Sequence, residues 1–164
     1  MRVLVGTSGY SYKEWKGPFY PEKLPAKGYL RYYAERLATV EINNTFYKMP
    51  TDTLVASWAA EVPEGFVFAL KAPQRITHIA KLTGENAPTE AFLKVAETLG
   101  PRLGPLLFQL PPFQRKDVPR LSAFLEKATP SRRGLRFAFE FRHESWFDDE
   151  VWGVLRAHGV SLCV

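Results

Sequence analysis

The segment from Leu135 to Trp146 reads LRFAFEFRHESW and ends in three side chains that could do chemistry: Glu140, Arg142 and His143. Its first half alternates with a period of two, so Phe137, Phe139 and Phe141 point one way while Arg136, Ala138, Glu140 and Arg142 point the other. The aromatic row suits a face covered by helices. The small and charged row suits the interior of a closed barrel, where charges persist only with partners or a task. Glu140 could act as a general base or metal ligand, and Arg142 could clamp an anion through its planar fork. Alternation turns His143 away from Glu140, so it either joins the site or only braces the loop before the last helix. The plainer reading of the first two is an ion pair that fixes that loop.

Similar residues close other β-like runs. Glu41 and Asn43 share a face of the second run, and Glu41 with Glu140 makes a carboxylate pair that could hold a divalent ion or divide acid and base roles. The alternative is a hydrogen-bond network with Lys71. Lys71 ends the third run, where pairing with an anion or carboxylate is a more ordinary task than Schiff-base chemistry. Ser8 and Gln109 end the first and fourth runs. The catalytic candidates are therefore Glu140, Glu41 and Lys71. The substrate-binding candidates are Ser8, Tyr10, Trp15, Asn43, Gln109, Arg142 and His143.

Six β-like runs must position these groups: Val3–Thr7, Thr39–Asn43, Phe66–Lys71, Pro105–Leu110, Leu135–Phe141 and Val160–Val164. Helical patterns lie between them, at roughly Gly28–Leu37, Thr51–Glu61, Thr89–Leu99, Asp117–Ala128 and Phe147–His158. Thr51 and Asp117 suit N-caps, and Gly100 and Gly159 suit positions just past helix ends. Strand–helix alternation of this kind predicts parallel βα units. The runs can be phased with one bulky face and one small or polar face: Phe66, Phe68 and Leu70 against Val67, Ala69 and Lys71, for example, or Val3 and Val5 against Leu4, Gly6 and Ser8. A doubly wound sheet is covered on both faces and should be apolar on both, whereas a barrel interior can be polar near its mouth. The fold class expected is therefore α/β, a TIM-type (β/α) barrel in one domain over residues 1–164. Long connections after strand ends, Ser8–Lys27 and Ala72–Pro88, and short returns such as Pro63–Gly65 and Pro130–Gly134 place the working face at the strand carboxyl ends.

The first long connection interleaves Tyr10, Tyr12, Trp15, Phe19 and Tyr20 with Lys13, Lys16 and Lys23. Such a mixture can stack bases and track phosphates. It can equally fold over the barrel on its own aromatic core, which is the preferred expectation, with Tyr10 and Trp15 still reaching a ligand.

Composition limits the alternatives. Of 164 residues, 46% are hydrophobic and 24% charged, which excludes a disordered chain and fits one packed core. The net charge of +5 favours anionic partners modestly. A single cysteine, Cys163, excludes a disulfide framework within the chain. No signal-peptide pattern or membrane-spanning run is visible, so a cytoplasmic protein without membrane contact is expected. The Gly6-Thr7-Ser8-Gly9 segment lacks the third glycine and helix start of a dinucleotide loop. Only His78, His143 and His158 are available for imidazole chemistry, so no cofactor is evident and a divalent metal is left open.

Several motifs together resemble the YecE-like family (domain of unknown function 72). They are Gly6-Thr7-Ser8-Gly9-Tyr10-Ser11-Tyr12 with Trp15 and Phe19-Tyr20-Pro21, then Val40-Glu41-Ile42-Asn43-Asn44-Thr45-Phe46-Tyr47 and Phe68-Ala69-Leu70-Lys71-Ala72-Pro73. Leu106-Leu107-Phe108-Gln109-Leu110-Pro111-Pro112 and Glu140-Phe141-Arg142-His143-Glu144-Ser145-Trp146 complete the set. The resemblance runs along the whole chain and implies a TIM-barrel-like fold, with no settled biochemical role. Family members complete about eight strands, so the resemblance implies that this barrel is cut short after about five βα units and a sixth strand. Either the sequence is part of a longer protein, the preferred reading, or an oligomer closes the barrel. The functional expectation is a hydrolase or lyase acting on a phosphorylated or nucleic-acid-like substrate, partly by analogy with the barrel of endonuclease IV. The alternative is a non-catalytic module that binds nucleic acid or a small anion through the aromatic and basic first loop.

Overall fold

The computed structural model describes residues 3–83, 87–129 and 134–164. Six parallel strands form one sheet in strictly sequential order, β1 (Gly6–Ser8), β2 (Thr39–Ile42), β3 (Val67–Lys71), β4 (Leu103–Gln109), β5 (Arg136–Glu140) and β6 (Ser161–Cys163). A doubly wound sheet reverses its strand order partway, whereas a barrel is wound in one direction throughout. The sheet is that of a TIM-type barrel, curled over its first six strands. The helices are α1 (Tyr29–Ala34), α2 (Asn44–Tyr47), α3 (Asp52–Glu61), α4 (Ala87–Glu97), α5 (Val118–Ala128) and α6 (Asp149–Ala157).

The two faces of the sheet divide as the alternation requires. Val40, Phe68, Leu70, Leu106, Phe108 and Phe139 are fully buried under the helices. Phe108 stacks between Phe137 and Phe139, with ring centroids 5.7 and 5.2 Å away, and Phe124 of α5 closes on it edge-on at 5.4 Å. The opposite face carries Glu41, Ala69, Lys71, Leu107, Gln109, Ala138 and Glu140. Gly104 marks an irregularity in the ladder between β3 and β4. Phe68 aligns with Leu103 and Leu70 with Leu106, so β4 uses three steps where β3 uses two. A Cβ on Gly104 would lie 2.6 Å from Val67 Cγ1 and 2.7 Å from the Phe68 carbonyl oxygen, so the strands approach closely there only because that atom is missing.

Capping follows local chemistry. The Thr51 hydroxyl accepts from the Leu54 N–H at 3.2 Å, and the Asp117 carboxylate accepts from the Arg120 N–H at 3.0 Å. Gly100 and Gly159 take φ of +53° and +64° past α4 and α6, where a side chain would be strained.

Expectations at both ends of the chain need correction. The first strand is Gly6–Ser8 rather than Val3–Thr7, and Val3 and Val5 are exposed instead of packed under helices. Among the described residues strand β1 pairs on one side only, with β2. The last helix starts at Asp149 rather than Phe147, because Asp148 adopts an extended backbone and caps the Glu150 N–H at 2.9 Å. His158, just past α6, faces Thr129, with Nδ1 at 3.4 Å from its hydroxyl. Several short elements went unforeseen, among them the single turn α2 and a π-helical turn over Arg75–Ile79. The return proposed at Pro130–Gly134 lies, up to residue 133, outside the described residues. Among the described residues no helix is long and apolar enough to cross a membrane.

Candidate functional site

The parallel register brings the strand ends level. Ser8, Lys71, Gln109 and Glu140 are the last residues of β1, β3, β4 and β5, and Glu41 and Asn43 flank the end of β2. Ser8 aligns with Glu41, and Gln109 with Glu140. These six side chains and Arg142 surround one cavity of about 520 Å³ at the carboxyl edge of the sheet. Tyr12, Phe46 and Tyr47 complete its wall.

Two hydrogen-bonded groups occupy opposite sides of the cavity. On one side the Glu140 carboxylate accepts from Arg142 Nε at 2.8 Å and from Gln109 Nε2 at 2.7 Å. Burial opposes its ionisation, but those two hydrogen bonds and the charges of Arg142 and Lys71 outweigh burial and hold the carboxyl below its ordinary value. Glu140 is therefore an anion at neutral pH. On the other side Asn43 Nδ2 donates to Ser8 Oγ at 2.5 Å, and Ser8 Oγ donates to Glu41 Oε1 at 3.0 Å. The Tyr12 hydroxyl donates to the Ser8 carbonyl, which fixes the start of the first loop against the same corner.

Lys71 lies between these groups and joins neither. Among the described residues its ammonium has no hydrogen bond and no ion pair, and it sits 4.9 Å from the centre of the Phe46 ring. The expected network of Glu41, Asn43 and Lys71 therefore forms without the lysine. Helix α2 holds the ring in place. The Thr45 hydroxyl lies 2.9 Å from the Ile42 carbonyl oxygen and 2.6 Å from that of Lys71, pinning the turn across the ends of β2 and β3.

Three candidate residues stand elsewhere. His143 Nδ1 accepts from the Ser145 N–H at 3.1 Å and lies 2.9 Å from the Ser145 hydroxyl, so the ring braces the turn that follows β5. Tyr10 and Trp15 belong to an aromatic cluster on the flank of the barrel. Trp15 packs edge-on to Phe19 at 5.5 Å and parallel to Tyr33, while Tyr20 stacks on Tyr29 at 3.9 Å. Burial, and then the Glu61 carboxylate, raise the Tyr10 hydroxyl pKa, consistent with a ring turned toward α3. Apart from Tyr12, which lines the cavity, the loop thus spends its rings on its own core and on α1, leaving Lys13, Lys16 and Lys23 exposed.

Sequence reasoning passed over Phe46 and Tyr47, which stand in the VEINNTFY run directly after Asn43 and whose place at the cavity depends on the unforeseen turn α2. It also passed over His78, which packs edge-on to Phe46 at 4.9 Å. Burial and then the charges of Lys71 and Arg142 lower its pKa. Among the described residues no three His, Cys, Asp or Glu side chains gather as metal ligands. Glu41 and Glu140 are the carboxylates a divalent ion would meet in this cavity.

Residues 4–164 match the family described as "Protein of unknown function DUF72". The chain belongs to the DUF72 family. Among its relatives is the UPF0759 protein YunF of Bacillus subtilis (strain 168), 27% identical over 170 residues, which span 96% of this chain and 58% of the relative. Two solved DUF72 structures superpose on it. TM1631 of Thermotoga maritima MSB8 has a TM-score of 0.81 and 33% identity, over 97% of this chain and 63% of that one. EF0366 of Enterococcus faecalis V583 has a TM-score of 0.70 and 25% identity, over 83% of this chain and 58% of that one. The chain thus spans about three-fifths of the length of these DUF72 relatives.

Proposed function

We propose that the cavity at the strand ends binds an anionic group of a phosphorylated or nucleic-acid-like substrate and that the protein acts on it as a hydrolase or lyase. One observation carries this reading: among the described residues a partly buried lysine lines the cavity with its ammonium in no ion pair or hydrogen bond, while the neighbouring Glu140 is already occupied by Arg142 and Gln109. Arg142 spends only its Nε on Glu140, so its terminal nitrogens remain to share an anion with Lys71. Glu41 lines the cavity and accepts a hydrogen bond from Ser8 at one oxygen, which suits its other oxygen to accept a proton from a water or substrate hydroxyl. Glu140 orients Arg142 in this scheme and, with Glu41, would meet a divalent ion if the reaction employs one.

The test is a panel of phosphomonoesters and short oligonucleotides, assayed for turnover and for binding. Glu41→Gln should abolish turnover and leave binding intact, while Lys71→Ala and Arg142→Ala should weaken binding. Binding without turnover in the native protein would replace the enzyme with a binding module. Insensitivity of all binding to Lys71→Ala would remove the cavity from consideration. Binding that depended on Lys13, Lys16 and Lys23 instead would favour the first loop.

A further inference from the structure

Phe46 and Tyr47 each face two cavities. On one side is the polar pocket of Lys71 and Arg142, and on the other an apolar groove of about 750 Å³ walled by Met49, Pro73, Ile79 and Ala91, with Lys48 and Arg75 also lining it. Tyr47 and Ile79 are 75% and 71% exposed, among the most exposed large apolar side chains of the protein. Phe46 meets Tyr47 edge-on at 5.1 Å. His78 packs against Phe46 and Thr45 pins the turn below it, so the divider between the cavities is held from two sides.

We propose that this groove is the subsite for a planar aromatic group of the same ligand whose anionic group lies between Lys71 and Arg142. The inference rests on the anion reading of the polar pocket and extends it to the rest of the ligand. Continuity is the first argument: the two cavities share the Phe46 and Tyr47 rings as a common wall, so one ligand can reach both by passing these two side chains. Shape is the second. The volume falls within the range of small-molecule sites, and the exposed Tyr47 ring offers a face for offset stacking. Charge is the third, because Lys48 and Arg75 favour a ligand that is anionic overall and disfavour a cationic one. The occupant is thus an aromatic group joined to a phosphate-like anion, of the size of a nucleobase.

Three probes titrated into the purified protein test this: inorganic phosphate, benzyl alcohol and phenyl phosphate. Phenyl phosphate should bind about tenfold or more tightly than inorganic phosphate, the gain expected from burying one ring. Two substitutions reach the groove without touching the polar pocket, Ile79→Ser, which removes a wall, and Ala91→Trp, which fills the space from the exposed side of α4. Both should bring phenyl phosphate down to the affinity of inorganic phosphate and leave inorganic phosphate unchanged. Equal affinity for the two phosphates in the native protein, or a preference that survives both substitutions, would overturn the subsite and spare the anion pocket. Benzyl alcohol binding that Ala91→Trp removes, with no binding of either phosphate, would overturn the anion reading and with it the joined ligand.

Discussion

Arg142 Nε lies 2.8 Å from Glu140 Oε1, and the two residues stand on the same side of the chain at the end of β5. The pair is half open to solvent on the arginine side, with side-chain exposures of 48% for Arg142 and 23% for Glu140. Partly exposed pairs of this kind stabilise little, and their value here lies in orienting a guanidinium toward a cavity.

Glu140→Gln should therefore change stability by only about 1 kcal/mol, measured by urea unfolding near neutral pH. Its pH dependence is more informative. The folded-state pKa of Glu140 lies below the ordinary carboxyl value of 4.5, so the unfolded chain takes up the proton first on acidification. The stabilisation is complete above about that value and is lost as pH falls through the lower folded-state pKa. Native protein should lose stability in that acidic window more steeply than Glu140→Gln. Parallel acid curves would show that the carboxyl is unperturbed.

Lys71→Met tests the unpaired ammonium. Among the described residues no carboxylate forms an ion pair with this charge, so unfolding free energy should move by no more than about 0.5 kcal/mol. Phosphate affinity should fall at least about tenfold. A large stability loss with unchanged phosphate affinity would make the lysine a structural counter-ion.

Cys163 offers a chemical report on the same face. Burial, then the carboxylates of Glu140 and Glu41, raise its thiol pKa. Alkylation by iodoacetamide at mildly alkaline pH should be slower than for a free cysteine, and Glu140→Gln should accelerate it. Equal rates in the native and variant proteins would mean that Cys163 does not sense the cavity.

Gly104→Ala should destabilise the sheet by about 1–3 kcal/mol, because the new methyl meets the Phe68 backbone and forces β3 and β4 apart. Phe139→Ala should cost about 3–5 kcal/mol through the cavity left beneath Phe108 and Phe124. Urea unfolding measures both, and a neutral Gly104→Ala would show that the bulge does not depend on the missing Cβ.

The period-two patterns of β2 to β5 determined which face packs under helices and which carries Glu41, Lys71, Gln109 and Glu140, because alternation is a property of chain neighbours alone. The caps at Thr51 and Asp117 were legible for the same reason: each side chain bonds a backbone N–H three residues away. Partner choice was not legible. Glu140 takes Gln109 from the adjacent strand, Glu41 takes Ser8, and Lys71 takes neither, and each outcome depends on lateral register and on side-chain reach across strands. Tyr10 and Trp15 looked available because a loop sequence does not reveal which of its rings satisfy one another. Turn α2, whose Phe46 and Tyr47 divide the two cavities, is held by a hydroxyl that spans β2 and β3. Only the folded sheet brings those two carbonyls to one oxygen.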